Sequence, residues 1–255
     1  MQLLRELGSA TCRNELSVRA CIREPAYSVT QAGRRLCRWP GSEVHGKLFV
    51  SGRRRRHHGK VEHLSTAALE AGLDDVRESP PDGGTVELIV RRPAVDEREV
   101  LTEGTLDADA GLAGDTWQVR GSTRTTDGSA HPGMQLTVMN SRAALLVARD
   151  PDRRMLAGDQ LYVDLDLSPA NLPPGARLAL GSAVIEVTDQ PHLGCAKFAA
   201  RFGADAWRFV NSRVGRELRL RGLNARVVVA GTVRAGDVIR KLPADPPVTI
   251  GDGKR

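Results

Sequence analysis

The feature that most constrains this chain is a cadence of short extended segments, each stopped by Gly, Pro or Asp before it can lengthen. Val86–Val90, Gln135–Met139, Ala183–Thr188, Ala225–Ala230 and Asp237–Arg240 all have the β-branched or alternating character of strands, and Arg177–Gly181 leads back to the one that begins at Ala183. Between them lie Pro80-Pro81-Asp82-Gly83-Gly84, Arg91-Arg92-Pro93, the rigid connection Ser168–Gly175, and Gly231–Gly236. Many short strands with few helices predict a mainly β fold, a closed barrel with helices as decoration. Gly158–Leu167 alternates apolar and acidic residues and reads as one more strand, half exposed, with Asp164 and Asp166 on its solvated face rather than forming an acid/base or metal pair.

The predicted helices are short. Ser65 can cap Thr66–Ala71 with Gly72 closing it, and Asn140 can cap a helix through Arg149 that turns Ala143, Leu146 and Val147 to one side. Cys195–Phe202 forms another, with Gly203 as its positive-φ stop, and Ala206–Val210 looks helical beyond it. Residues 120–133, rich in Gly, Ser, Thr and Asp, make a polar loop that can cover a site.

Charge divides the chain unevenly. Residues 1–60 hold 13 Lys and Arg against 4 acidic residues, so of the totals 37 and 31 the remainder keeps 24 basic and 27 acidic. The net +6 therefore comes from the first quarter and is no argument for nucleic-acid binding by the patterned region. That quarter contains Arg53-Arg54-Arg55-Arg56-His57-His58, without the aromatic interleaving of a nucleic-acid arm. It partly fits a transit peptide, and is best read as translated upstream sequence with the true start near Val61. The expected organisation is thus a basic extension over 1–60, one domain over 61–242, and a loose Pro/Gly-rich tail over 243–255. No apolar run approaches the roughly 20 residues of a membrane span, and a cytoplasmic protein without membrane contact is expected.

Cys12, Cys21 and Cys37 fall in the basic extension with no zinc or disulfide spacing, and Cys195 stands alone in the patterned region. It sits in Asp189-Gln190-Pro191-His192-Leu193-Gly194-Cys195-Ala196-Lys197-Phe198, between a strand and a helix. A thiol at a helix N-terminus, with His192 three residues before it and Lys197 two after, is in surroundings that favour the thiolate, the form that attacks or binds metal. A small buried hydrophobe is the alternative reading. Two further candidates stand apart from it. Gly111 and Gly114 suit a tight turn from which Asp115 projects toward a ligand, though a plain Gly-Asp turn reads the same way. Arg213, Arg216, Arg219 and Arg221 form a basic cluster divided between an anion pocket and an exposed helix face.

Taken in order, Gly111-Leu112-x-Gly114-Asp115, the 135–139 strand with its helix, Gly158-Asp159, Leu178-x-Leu180-Gly181-x-Ala183 leading into Val187-Thr188, and a late Cys195 resemble the MOSC family, over roughly residues 85–241. The family is named for the C-terminal domain of molybdenum cofactor sulfurase. The resemblance implies a β-barrel related to that of pyruvate kinase, with Cys195 matching the family cysteine. In some members this cysteine ligates the molybdenum of a pterin cofactor, and these reduce N-hydroxylated compounds. In cofactor sulfurases the domain is proposed to carry sulfur made by a separate pyridoxal-phosphate domain.

Better-known members show Gly-Glu-Asn and Pro-Cys where this chain has Gly158-Asp159-Gln160 and Gly194-Cys195. Asn171 is a candidate to replace the missing Asn, and a Gly before the cysteine changes backbone freedom. Arg221 and the helix start at Asn140 are candidates for a cofactor phosphate. The implied catalytic and metal-ligating residue is Cys195, with His192, Lys197, Asp115, Asn140, Asn171 and Arg221 around the cofactor. Pyridoxal phosphate would enter only through a partner, a cysteine desulfurase, since no aldimine-lysine context surrounds Lys197. The readings that follow are a molybdenum-pterin protein with a small-molecule substrate and an electron-transfer partner, a Cys195 persulfide carrier, or a non-catalytic binding module.

Overall fold

The computed structural model describes residues 62–243. The readings made above of residues 1–60, including Cys12, Cys21 and Cys37, and of the tail beyond Pro243 lie outside the described residues. In chain order the elements are α1 Thr66–Ala71, α2 Leu73–Arg77, β1 Gly84–Arg91, β2 Glu99–Leu101, β3 Glu103–Asp107, β4 Gly111–Leu112, α3 Trp117–Arg120, β5 Leu136–Asn140, α4 Ser141–Ala148, β6 Leu161–Asp164, β7 Arg177–Leu180, β8 Ala183–Val187, α5 Ala196–Asn211, α6 Arg213–Glu217, β9 Leu223–Val229, β10 Gly231–Arg234 and β11 Val238–Lys241.

Seven strands close on themselves in the order β1-β6-β5-β9-β8-β7-β11, and β11 returns to β1 through Gly84↔Ile239 and Thr85↔Val238. All these pairings are antiparallel except β5–β6, which is parallel and crosses over through α4. The expected mainly β barrel with few, short helices is therefore borne out. β2 extends β1 on the outside, and β10, β3 and β4 form a separate small sheet.

Closure buries the inner face of the barrel strands, and the helices also bury the outer face of β5, β6 and the end of β1. Val86, Ile89, Leu136, Val138, Leu161, Val163, Leu178, Ile185, Ala225 and Ile239 fill the barrel interior. Tyr162, Met139 and Val90 point outward and are covered by Leu69, Val76, Ala144, Phe198 and Phe202 of the helices. A register shift between Val86 and Leu88 reverses strand parity, so that Val86 and Ile89 both face inward. The half-exposed strand expected over 158–167 is corrected on the same ground. Only Leu161–Asp164 is strand, and Leu161, Tyr162 and Val163 are all buried because α4 and α5 cover the outer face. Asp164 pairs with Arg142 at 2.8 Å, and Asp166 accepts from Ser168 N–H at 2.8 Å to shape the next turn.

Helix boundaries follow their caps. Ser65 Oγ accepts from Ala68 N–H and Asn140 Oδ1 from Ala143 N–H at 2.9 Å, both as expected. Within α5, Gly203 adopts φ 91°, ψ 164°, which breaks the span into two helical pieces. A Cβ there would lie 2.7 to 2.9 Å from atoms of the His63 side chain, so both conformation and space require glycine.

Candidate functional site

The loop from Thr188 to Gly194 carries the chain from β8 to α5, and three anchors fix its course. Thr188 N–H donates to Asn224 C=O at 3.0 Å, while its hydroxyl donates to Gly133 C=O at 2.6 Å. Asn224 Nδ2 donates to Gln190 C=O at 3.2 Å. At the far end, Gly194 N–H donates to Asn211 Oδ1 at 2.9 Å, and its carbonyl accepts from Asn211 Nδ2 at 3.1 Å and Trp207 Nε1 at 2.8 Å. In an unbroken helix Asn211 would lie about 24 Å from residue 195. The break at Gly203 turns the second piece back so that it clamps the start of the first.

Cys195 follows this clamp directly. It occupies the N-cap position of α5, its carbonyl accepts from Phe198 and Ala199 N–H, and its thiol is free and exposed. A packed-cysteine reading is thereby set aside. Lys197 lies in the first turn of α5 and is exposed.

His192 departs from its expected role. Its ring is turned into the protein with only 11% of its side chain accessible, and Nδ1 lies 3.5 Å from Asp159 Oδ1. Desolvation, together with the positive charges of Arg221, Arg92 and Arg124, holds its pKa well below the usual histidine value. A neutral imidazole supplies no positive charge to the thiol. The polar loop lies against this region, with Gly133 bound by Thr188 and Arg124 Nη1 donating to Gln190 Oε1 at 3.3 Å.

Arg221 is the centre of a buried network. Its Nη1 donates to Asp159 Oδ2 at 2.6 Å and its Nη2 to Ala157 C=O at 3.0 Å, and the guanidinium lies 5.2 Å from the Phe198 ring centroid. The expected phosphate contact through its fork is corrected, since those nitrogens are engaged by the 157–159 turn. Burial raises the pKa of Asp159 and Arg221 opposes that rise. A neutral acid here would leave a buried guanidinium uncompensated, so the pair is read as ionic.

Three other candidates are placed elsewhere. Asp115 is fully enclosed and binds Arg92 through both oxygens, at 2.7 and 2.8 Å, while Arg92 Nη1 holds Gly158 C=O at 2.9 Å. It supports the Gly158-Asp159 turn from behind, with its side chain closed to solvent. Asn140 is buried, and its amide donates to Ser79 Oγ and Leu165 C=O, so the start of α4 is closed to a phosphate. Asn171 ties Pro81 C=O, Asp166 C=O and Lys241 Nζ together and does not line the cleft described below.

A cleft of about 370 Å³ opens beside the cysteine loop, between residues 188–193 and the segment carrying Gly215, Arg216, Arg219, Arg221 and Gly222. It brings together two of the predicted residues, His192 and Arg221, with two arginines of the basic cluster. Arg213 instead pairs with Glu217 on the helix surface. The clamp by Trp207 and Asn211 was not foreseen. Its signal was their i, i+4 spacing, which puts an indole N–H and an amide on one helix face.

The described residues thus form a closed mixed barrel with an exposed thiol at a strand-to-helix turn. Residues 155–240 match the model of the MOSC domain, a segment that runs from before β6 to β11 and includes Cys195. The family resemblance read from the sequence is shown over that segment. Among solved structures, the chain is similar to the YuaD protein from Bacillus subtilis, at 16% identity over 62% of this chain and 94% of that one, TM-score 0.44. It is also similar to YiiM from Escherichia coli (21% identity, 62% and 70% covered, TM-score 0.42) and YiiM from Geobacillus stearothermophilus (12%, 64% and 73%, 0.40). No curated protein matches the sequence. Among the described residues, no helix is long and apolar enough to cross a membrane.

Proposed function

We propose that this chain binds a molybdenum pterin cofactor through the Cys195 thiolate, and serves in the reduction of N-hydroxylated compounds or in handling the cofactor. The observation that carries this reading is the free, exposed thiol at the N-cap of α5, held by a clamped turn within the MOSC match. The donor set fits the group. A thiolate is a soft ligand suited to molybdenum. Among the described residues no cluster of three or more His, Cys, Asp or Glu could hold a metal ion by itself.

Cys195 would ligate the metal, and exposed Lys197 in the same turn offers a cation to the cofactor phosphate. Bound there, the group supplies two-electron redox chemistry. The protein's part is positional. Asn211 and Trp207 fix the backbone before the thiol, and the Arg221–Asp159 pair supports Phe198 beneath the first helical turn.

Incubated with released pterin cofactor and passed through gel filtration, the full-length chain is expected to co-elute with the fluorescence of the oxidised pterin. The Cys195→Ser variant is expected to lose it. Equal retention by the variant would overturn the reading.

The exposure of Cys195 beside half-exposed Leu193 and Trp207 also favours a second reading, a sulfur carrier that a partner protein can reach. In that case a pyridoxal-phosphate cysteine desulfurase passes its sulfane sulfur to the Cys195 thiolate. A 32 Da adduct on Cys195 after incubation with such an enzyme and cysteine would support it.

A further inference from the structure

The cleft beside the cysteine loop has properties that the ligation of a metal by Cys195 does not use. Its volume of about 370 Å³ lies in the range of small-molecule sites. The charged residues that line it are Asp189, Arg216, Arg219 and Arg221. Arg221 is matched by Asp159, whereas Arg216 is exposed and forms no ion pair among the described residues. Arg219 is half buried, and among the described residues its side-chain partners are the carbonyls of Leu167 and Leu172, bound through Nη1. It is also a non-glycine residue at φ 46°, held in the left-handed region. Asp189 is exposed and its carboxylate accepts from Gln190 Nε2. Two arginines of the lining, Arg216 and Arg219, therefore have no carboxylate partner among the described residues.

His192 adds a second element of recognition. Asp159 Oδ1 and His192 Nδ1 are both sealed from solvent without a conventional partner, and they face each other at 3.5 Å. With Asp159 ionised against Arg221, its Oδ1 facing the ring across 3.5 Å favours the tautomer that carries the proton on Nδ1. Nε2 is then a lone-pair acceptor. It has no partner among the described residues, and unlike Nδ1 it is not sealed.

We propose that this cleft, walled by the loop that leads to Cys195, is built for a small acid that sets a carboxylate or phosphate on Arg216 and Arg219 and donates an O–H or N–H to His192 Nε2. Assigning that acid as a substrate rests on the reading of Cys195 given above. The anion chemistry and the acceptor stand on the cleft alone. Recognition by two cations and one oriented acceptor selects against uncharged molecules and against acids that lack the donor.

Three probes of one size separate these elements: mandelate, which has the acid and the hydroxyl; phenylacetate, which has the acid alone; and benzyl alcohol, which has the hydroxyl alone. Binding is read by calorimetry and by the Nε2 resonance of His192 in full-length protein labelled in its histidine nitrogens, assigned with His192→Gln. Mandelate is expected to bind tightest and to shift Nε2, phenylacetate to bind more weakly without shifting it, and benzyl alcohol to show no binding. Arg216→Ala, at an exposed position, is expected to keep the thermal midpoint and to lose about tenfold in mandelate affinity, with partial recovery in Arg216→Lys. His192→Gln is expected to bind mandelate and phenylacetate alike.

Mandelate binding unchanged in Arg216→Ala, or no movement of Nε2, would overturn the proposal. Protein loaded with the pterin cofactor is expected still to bind mandelate; its exclusion would show that these arginines hold the cofactor phosphate and would overturn the substrate assignment. Cys195→Ser is expected to bind mandelate as the wild type does. Failure of cofactor retention with mandelate binding intact would thus remove the reading of Cys195 and leave the acid pocket, and the reverse pattern would remove the pocket alone.

Discussion

Asn211 engages both backbone hydrogen-bonding groups of Gly194, seventeen residues earlier, accepting from its N–H at 2.9 Å and donating to its carbonyl at 3.1 Å. One side chain thereby fixes the two peptide units that flank Gly194, the second of which leads into Cys195. Asn211→Ala is expected to cost about 1–2 kcal/mol and to speed amide exchange at Gly194. Asn211→Asp keeps the acceptor and loses the donor, so it should fall between the two. Denaturant titration with hydrogen exchange measures both effects, and unchanged protection of Gly194 in Asn211→Ala would deny the clamp.

The same contact explains the glycine before the cysteine. Gly194 does not have a positive φ, so the expected need for backbone freedom is corrected to a need for space. A Cβ would lie 2.9 Å from both Asn211 Nδ2 and Val210 Cγ2. Proline there would also remove the N–H that Asn211 accepts. Gly194→Ala is expected to destabilise the protein by about 1–3 kcal/mol. An unchanged denaturation midpoint would show that α5 moves aside freely.

Asp115 is a structural anchor in this account. Asp115→Asn leaves Arg92 buried without its carboxylate, which is expected to cost about 3–5 kcal/mol. The drop in thermal midpoint should be plain, and any loss of cofactor should follow from it. A variant of wild-type stability that fails only to bind cofactor would restore Asp115 as a ligand contact.

Burial of His192 predicts a pH dependence of stability. Its pKa is held well below the usual value, so as pH falls past about 6.5 the unfolded chain takes the proton first. The stability this ring contributes is intact above that pH and declines below it, by at most about 1.4 kcal/mol per pH unit. Asp159, raised by burial, contributes with the opposite sign and is present in both the wild type and His192→Gln. The difference between their curves should be flat above pH 7 and narrow toward the variant's favour below pH 6. Parallel curves down to pH 5 would place the ring in solvent.

What the sequence disclosed was local. Strand cadence, the Ser65 and Asn140 caps and the Gly203 break depend on neighbouring residues, and each is found in the structure. The position of Cys195 was legible for the same reason. The surroundings of the site were less so, because they arise from long-range closure. Leu161–Asp164 alternates as if half exposed, yet α4 and α5 bury its outer face. Asp115, Asn140 and Asn171 are polar residues of a kind that contacts ligands, but each is engaged by carbonyls or cations distant in sequence. His192 lies three residues from the thiol and its ring turns to Asp159, a partner that only barrel closure brings near.

The most direct test of the central claim is the molybdenum content of the full-length chain and of Cys195→Ser, both purified anaerobically from a host that makes the pterin cofactor. The account predicts close to one molybdenum per chain in the wild type and none in the variant, with equal thermal stability because the thiol is exposed. Equal molybdenum in both, or none in either, would contradict it.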